Sequence, residues 1–186
     1  MKNLRYFVLA FVALLSIQPV LGQDTYGSAC ITGRNVLILE RRYILEYIAP
    51  SKWLENKEYS RSIGANNFMY PYKDSIYHET NISVRILPKA PSGQSFDVTV
   101  NKANRQYQSL AKEPPRQLAL HKSVTTAKSF VFKDTDTHVI ESVTYIKIGD
   151  RLLSFVFTAP NQKNFDKYVG GYKELLSSIR VSQLPG

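Results

Sequence analysis

Residues 139–181 form the stretch that most restricts the fold of this 186-residue chain. Val139, Val143 and Tyr145 alternate with polar residues, and the turn-forming pair Gly149-Asp150 follows them. The residues from Leu152 to Phe157 are almost continuously apolar, as in a central strand, and Pro160 ends the run. The pattern therefore predicts a hairpin whose strands cover about residues 138–148 and 152–157.

A long amphipathic helix is predicted after this hairpin. Asn161 or Asn164 can cap its N-terminus with a side-chain oxygen. Apolar residues recur at three- and four-residue spacing, which places them on one stripe: Phe165, Val169, Tyr172, Leu176 and Ile179. Gly170-Gly171 lies inside the helix pattern and not after a strand, which argues against a phosphate loop. We interpret this pair as a close approach of another element or a bend in the helix.

The first residues are typical of a secretory signal peptide. Lys2 and Arg5 supply a positive start, residues 6–17 are apolar and uncharged, and after Pro19 the small residue Gly22 is suited to cleavage. A membrane anchor is the alternative, but the apolar run is short for a span of about 20 residues. We therefore predict cleavage after Gly22 and export to the periplasm or the extracellular space.

One domain is predicted after the signal peptide. We assign residues 1–22 to the signal, 23–35 to a flexible leader and 36–183 to the domain, and we expect a monomer. A hydrophobic content of 44% is enough for a sizeable core. Cys30 is the only cysteine, so no internal disulfide can form to stabilise this core. The thiol could pair between chains, but a small apolar side chain in the leader is the simpler interpretation.

The exported chain is basic. Loss of Lys2 and Arg5 with the signal lowers the formal net charge from +9 to +7. Anionic lipid head groups, polysaccharides and acidic proteins are suitable partners for such a charge, although charge that only maintains solubility is the simpler explanation. Arg41-Arg42 is the only adjacent basic pair, so the clustered footprint of a nucleic-acid binder is missing.

The first half of the domain begins with a predicted hairpin. Its strands are the apolar runs Val36–Leu39 and Tyr43–Ile48, joined by a turn at residues 40–42, with Leu45 and Tyr47 on one face. Pro50 ends the second strand. The single tryptophan, Trp53, follows directly, and we interpret it as an amphipathic plug at the edge of the core rather than a ligand-stacking residue.

The middle of the chain predicts a strand, a helix and further strands. Residues 81–87 alternate, with Ile82, Val84 and Ile86 inward. Ser95 can cap a helix from residue 96 to about residue 111, whose apolar face is Phe96, Val100, Ala103, Tyr107 and Leu110. Strands are predicted over residues 118–124, 129–133 and 138–148. The fold class that follows is α+β, an antiparallel sheet packed by helices.

This order of motifs resembles the PsbP-like superfamily of small α/β/α sandwich domains. The shared features include the Pro50-to-Trp53 step, a strand of the Asn-Ile-Ser-Val kind at residues 81–84, and a mid-chain helix. The C-terminal ones are Tyr-Ile-Lys-Ile-Gly-Asp-Arg at 145–151, Ser-Phe-Val-Phe-Thr-Ala-Pro at 154–160 and Leu-Leu-Ser-Ser-Ile-Arg at 175–180. The superfamily includes photosystem-associated lumenal proteins and exported bacterial proteins of the DcrB type. The resemblance covers about residues 36–181 and implies a non-catalytic accessory or binding protein without a shared active-site motif.

Catalytic and metal-binding patterns are not recognisable. His78, His121 and His138 lack the paired spacing of zinc ligands, and no Gly-x-Ser-x-Gly motif occurs. We therefore predict no catalytic residue, no cofactor and no metal ligand. Asp134, Asp136 and His138 alternate and could contact a cation, although a solvated turn entering a strand is the interpretation we favour.

An aromatic cluster is the candidate partner-binding site: Phe68, Tyr70, Tyr72 and Tyr77. Arg61 and Lys73 are close in sequence, and aromatic residues with Arg dominate interface hot spots. A half-buried strand and its turn is the alternative explanation. We expect a binding protein whose partner is a protein or an envelope component.

Two other functions stay open. An envelope or extracellular enzyme would be indicated by a deep polar pocket that gathers Asp136, His138 and a distant carboxylate. A structural component of an envelope assembly would be indicated by a large exposed apolar or aromatic patch around Tyr70, a feature that a binding protein would share.

Overall fold

The computed structural model describes residues 28–31, 33–72, 79–91, 93–108, 110–113 and 120–184. The strands are β1 (Ser28–Ile31), β2 (Arg34–Leu39), β3 (Tyr43–Ile48), β4 (Trp53–Glu55), β5 (Asn67–Pro71), β6 (Asn81–Ile86), β7 (Ala111–Glu113), β8 (Ala127–Lys133), β9 (Ile140–Ile148), β10 (Arg151–Ala159) and β11 (Arg180–Gln183). The helices are α1 (Lys57–Ser62), α2 (Phe96–Ala103) and α3 (Gln162–Ser178), and a 3-10 turn (Asn104–Tyr107) continues α2.

Within these ranges the strands form two antiparallel sheets. The small sheet has the order β1-β2-β3-β11, and the large sheet has the order β4-β5-β6-β10-β9-β8-β7. Both predicted hairpins are confirmed. The turn between β2 and β3 has positive φ at Glu40 and Arg41, and the turn between β9 and β10 has positive φ at Gly149.

The main core lies between one face of the large sheet, the small sheet and α3. Its fully buried side chains include Leu37, Leu45, Tyr47, Ile82, Ile146, Leu153, Phe155 and Phe157. The predicted stripe of α3 packs on them: Phe165, Tyr172, Leu176 and Ile179 are buried, and Val169 is half-buried. Full burial of one such side chain contributes about 1.5–3 kcal/mol, so this stripe holds α3 in place.

A second core covers the opposite face of the large sheet. Val100 of α2 and Tyr107 of the 3-10 turn pack on the strand residues Phe130, Phe132, Val143, Tyr145 and Leu152, with Phe96, Ala103 and Leu110 against them. The predicted apolar face of the helix is therefore confirmed, but its length is wrong. The α-helix ends at Ala103, and residues 111–113 pair with β8. The tighter 3-10 turn lays the ring of Tyr107 on Phe132, with ring centroids 4.2 Å apart.

Two further predictions need correction. The strand expected over residues 118–124 is wrong, because residues 120–124 form a turn; residues 118 and 119 lie outside the described ranges. His121 Nδ1 accepts a hydrogen bond from Ser123 N at 3.2 Å, and such local bonds compete with a sheet ladder. At the other end, β1 lies inside the stretch assigned to a flexible leader, so the small sheet begins before residue 36. The predicted signal at residues 1–22 lies outside the described residues.

Among the residues that the structure describes, no helix is both long enough and apolar enough to cross a bilayer.

Candidate functional site

The predicted aromatic site lies at the β4–β5 edge of the large sheet. Leu54 of β4 is directly opposite Tyr70 of β5, so their side chains share the face that carries the second core. The ring of Tyr59, on α1, packs edge-on against Phe68 with centroids 4.5 Å apart, and Phe68 is 6.4 Å from Tyr70. These contacts bring residues from three elements into one cluster.

The members of this cluster differ in exposure. Phe68 is only 3% exposed and supports its neighbours from below, whereas Tyr70 is half-buried. Leu54, Tyr59 and Tyr72 are 40%, 42% and 65% exposed. Tyr77 lies outside the described residues. We name the surface formed by Leu54, Tyr59, Tyr70 and Tyr72 the β4–β5 patch.

Sequence reasoning missed two members of the patch. Because side chains alternate along a strand, Leu54 could have been placed on the opposite face from the half-buried indole of Trp53. The signal for Tyr59 was Asn56, whose Oδ1 accepts a hydrogen bond from Tyr59 N at 2.9 Å and caps α1. The helix α1 has only six residues, several of them charged, so it shows no apolar periodicity that would have predicted a helix.

Cations lie close to the β4–β5 patch along the chain. Lys52 precedes β4 with a positive φ, and its carbonyl oxygen accepts a hydrogen bond from Tyr72 N at 2.9 Å. Lys57 and Arg61 stand on α1, each two residues from Tyr59 and therefore on a different side of the helix from its ring. Both are exposed, as is the acidic Glu58, so positive charge lies near the patch without forming its surface.

A buried polar network fixes the strand that carries Tyr70. Tyr47 of β3 donates a hydrogen bond to Asn67 Oδ1, and Asn67 Nδ2 donates to Asn35 Oδ1 at 3.2 Å and to Glu55 Oε1. Asn35, Tyr47 and Asn67 are almost completely buried. Since Asn35 and Tyr47 belong to the small sheet, this network ties the two sheets together directly behind the patch.

A second polar group lies beneath α2. Glu141 of β9 is half-buried and accepts hydrogen bonds from Tyr107 and, at 3.1 Å, from Thr158 Oγ1. Burial raises the pKa of its carboxyl above the usual range, and Arg85 opposes this rise through its charge. Burial likewise raises the pKa of Tyr107 and Tyr145. Tyr107 donates to this carboxyl, and the Tyr145 hydroxyl donates to Asn104 Oδ1 at 2.9 Å, so these bonds tie the 3-10 turn to β9.

An open cleft of ≈ 660 Å³ lies at the start of α3. Its lining is Lys133, Asp134, Thr135, His138, Ile140, Asn161, Gln162 and Lys163. Asp134 accepts hydrogen bonds from Asp136 N at 2.9 Å and from Thr137 Oγ1 at 2.6 Å, and the Thr137 bond is the main reason that its pKa is lowered.

The cleft does not gather the groups that an enzyme was expected to bring together. Asp136 is missing from its lining, and Asp134, the one carboxylate there, is held by its own turn. Across the part of the chain that the structure describes, no three His, Cys, Asp or Glu residues stand close enough to hold a metal ion.

The architecture is that of a PsbP-like α+β sandwich, with antiparallel sheets packed by a few helices. In particular, the chain is similar to cyanobacterial PsbP (CyanoP) from Synechocystis sp. PCC 6803, whose solution structure matches with a TM-score of 0.53. The match covers 86% of this chain and 99% of CyanoP, at 14% sequence identity. At that identity the likeness establishes the fold.

A crystal structure from Bacteroides thetaiotaomicron VPI-5482 also matches, with a TM-score of 0.43 and 12% identity. That match covers 74% of this chain and 45% of the other. Comparison with models of protein families finds no match, and a search of curated proteins finds none at the significance required.

Proposed function

We propose that this chain is an exported, non-catalytic accessory protein that binds a partner protein through the β4–β5 patch. The observation that carries the proposal is the exposure of Leu54, Tyr59 and Tyr72 on one corner of the large sheet. Large apolar side chains that are exposed together, inside a polar rim, are characteristic of interaction sites.

The chemistry of the patch suits a protein partner. Tyrosine offers a large contact area with little loss of side-chain entropy, and its hydroxyl tolerates water in the unbound state. Lys52, Lys57 and Arg61 would steer an acidic partner towards the patch without contributing most of the affinity.

The support beneath the patch favours binding with little rearrangement. Phe68 is buried under Tyr59, and the Asn67 network fixes the backbone of β5. A surface held in this way loses little conformational entropy when a partner arrives.

Export is supported by the charge and apolar pattern of residues 1–22, which matches a signal peptide. A non-catalytic role is favoured because the carboxylates of both polar groups, Asp134 and Glu141, are engaged by hydroxyl or backbone donors.

The test is affinity capture from an envelope extract with the exported chain as bait. Leu54→Ala combined with Tyr72→Ala should lower recovery of the specific partner at least tenfold, as expected when hot-spot residues are truncated. Val98→Ala is the matched control, because Val98 is 52% exposed on α2, away from the patch. Equal recovery by wild type and the double variant, with both folded, would refute the proposed site.

A further inference from the structure

The outward face of the small sheet carries an aliphatic surface that no described element covers. Along β2 and β3 the inward Leu37, Leu39, Leu45 and Tyr47 are fully buried, while Val36, Ile38, Ile44 and Ile48 alternate with the inward residues and point outward. Ile38 is 39% exposed and Ile48 is 49% exposed. Ile38 stands directly opposite Ile44 and next to Val36 on the same face, whereas Glu46 separates Ile44 from Ile48 along β3.

Cations border this aliphatic surface on three sides. Arg34, opposite Ile48, lies 3.5 Å from Glu46 in an exposed ion pair, and Arg180 of β11 stands on the other side of Glu46. Arg41 and Arg42 occupy the turn at one end of β2. Glu46 is the one acidic residue among these positions, and the four arginines around it outnumber it.

The adjoining turn at residues 121–123 adds to this positive charge. Ser123 Oγ accepts a hydrogen bond from Val181 N at 3.0 Å, which places the turn against β11. Partial burial, and then the charges of Arg180 and Lys122, lower the pKa of His121, so these cations lie near one another.

We propose that the outward face of the small sheet docks on the surface of an anionic lipid bilayer, with Ile38 and Ile48 inserted at the interface and Arg34, Arg42 and Arg180 over the phosphates. Small aliphatic insertions gain useful affinity when basic residues contact anionic head groups at the same time. The binding partner of this face is thus a lipid bilayer that contains phosphatidylglycerol as its anionic lipid.

The position of the sheet in the chain supports a lipid partner. β1 is its edge strand, and the apolar run of residues 6–17 precedes β1 by ten residues, which span at most about 35 Å. Before the predicted cleavage, a run held in the bilayer would keep β1 within this distance of the lipid surface. A second copy of the chain is a weaker candidate, because two exposed isoleucines fall far short of the roughly 800 Å² per partner of a stable interface.

The test is co-sedimentation of the exported chain with vesicles, after mass spectrometry has established its N-terminus. We expect binding to vesicles that contain phosphatidylglycerol, little binding to pure phosphatidylcholine, and a decline as salt rises. Ile38→Ser with Ile48→Ser, and separately Arg34→Gln with Arg180→Gln, should each weaken binding several-fold. Both pairs are exposed, so circular dichroism and thermal unfolding should show that the variants fold.

The Leu54→Ala, Tyr72→Ala variant is the matched control and should bind vesicles like wild type, which keeps this test separate from that of the β4–β5 patch. Three results would overturn the proposal: no sedimentation with anionic vesicles at low salt, equal binding to neutral vesicles, or binding unaffected by both variant pairs. A dimer in light scattering that the Ile38→Ser, Ile48→Ser variant abolishes would assign this face to a second copy instead.

Discussion

The indole of Trp53 packs against the backbone of Gly171 in α3. A Cβ at Gly171 would lie 3.0 Å from Trp53 Nε1 and 3.2 Å from the Cβ of Pro50. The indole also contacts the rings of Phe157 and Tyr168, with centroids 6.4 Å and 6.2 Å away. The absence of a side chain at residue 171 therefore lets the start of β4 approach the helix.

Two neighbouring glycines should consequently respond in opposite ways to the same substitution. Gly171→Ala gains helix propensity but must displace Trp53 or Pro50, and we expect a net loss of about 1–2 kcal/mol in the free energy of unfolding. Gly170→Ala meets nothing within 4 Å and should stabilise by about 0.5–1 kcal/mol. Urea denaturation followed by tryptophan fluorescence measures both changes. Stabilisation by Gly171→Ala would contradict the packing described above.

The N-terminus of α3 allows a second matched comparison. Asn161 is the cap, since its Oδ1 accepts a hydrogen bond from Asn164 N at 2.9 Å. Asn161→Ala should cost about 1 kcal/mol of unfolding free energy, because Asn164 N loses its side-chain acceptor. Asn164→Ala keeps that acceptor and should change stability by less than about 0.5 kcal/mol. Equal effects in thermal denaturation would show that the cap is not the source of the loss.

Glu141 should make stability decline as the pH rises from mildly acidic values. Burial raises its pKa above the ordinary 4.5, so over a window starting near 4.5 the folded chain keeps a proton that the unfolded chain has lost. The stability from this group is complete below the window and is lost through it. Relative to Glu141→Gln, wild type should therefore lose at most about 1.4 kcal/mol per pH unit there.

Asp150 provides the opposite control for this pH dependence. A hydrogen bond from Lys89 is the main reason that its pKa falls below the ordinary 3.8, so its contribution is present above that value and is lost on further acidification. Asp150→Asn should lower stability above about pH 3.8 and flatten the acid limb of the stability curve, without changing its slope at higher pH. Urea midpoints measured at intervals from about pH 3 to pH 8 separate the two groups. A wild-type curve parallel to that of Glu141→Gln above pH 4.5 would contradict the raised pKa of Glu141.

The sequence predicted what local periodicity determines. The stripe on α3, the inward Ile82 and Val84, and the two hairpins each repeat within a few residues, and packing selects the same faces. The α+β class followed from the order of these elements, the PsbP-like fold was what the resemblance of the motifs implied, and the likeness to CyanoP confirms both.

The members of the β4–β5 patch and the pairing of β11 depend on contacts between elements that are distant in sequence, which local patterns do not predict. The sequence predicted Phe68 as a candidate binding residue, but Tyr59 of α1 covers its ring. The exposed side chains of this surface are instead Leu54, Tyr59 and Tyr72. The fourth strand of the small sheet is β11, which has only four residues and pairs with β3 far away in sequence. The role of the β4–β5 patch in binding stays a prediction.

The pairing of β3 with β11 also determines when the molecule can close. Tyr43 pairs with Gln183, and Ile48 N donates to Ser178 Oγ across 130 residues of chain. The small sheet therefore keeps an open edge at β3 until almost all of the chain has been made. Closing so long a loop is slow, so the small sheet stays incomplete until residues 180–183 are available to pair with β3.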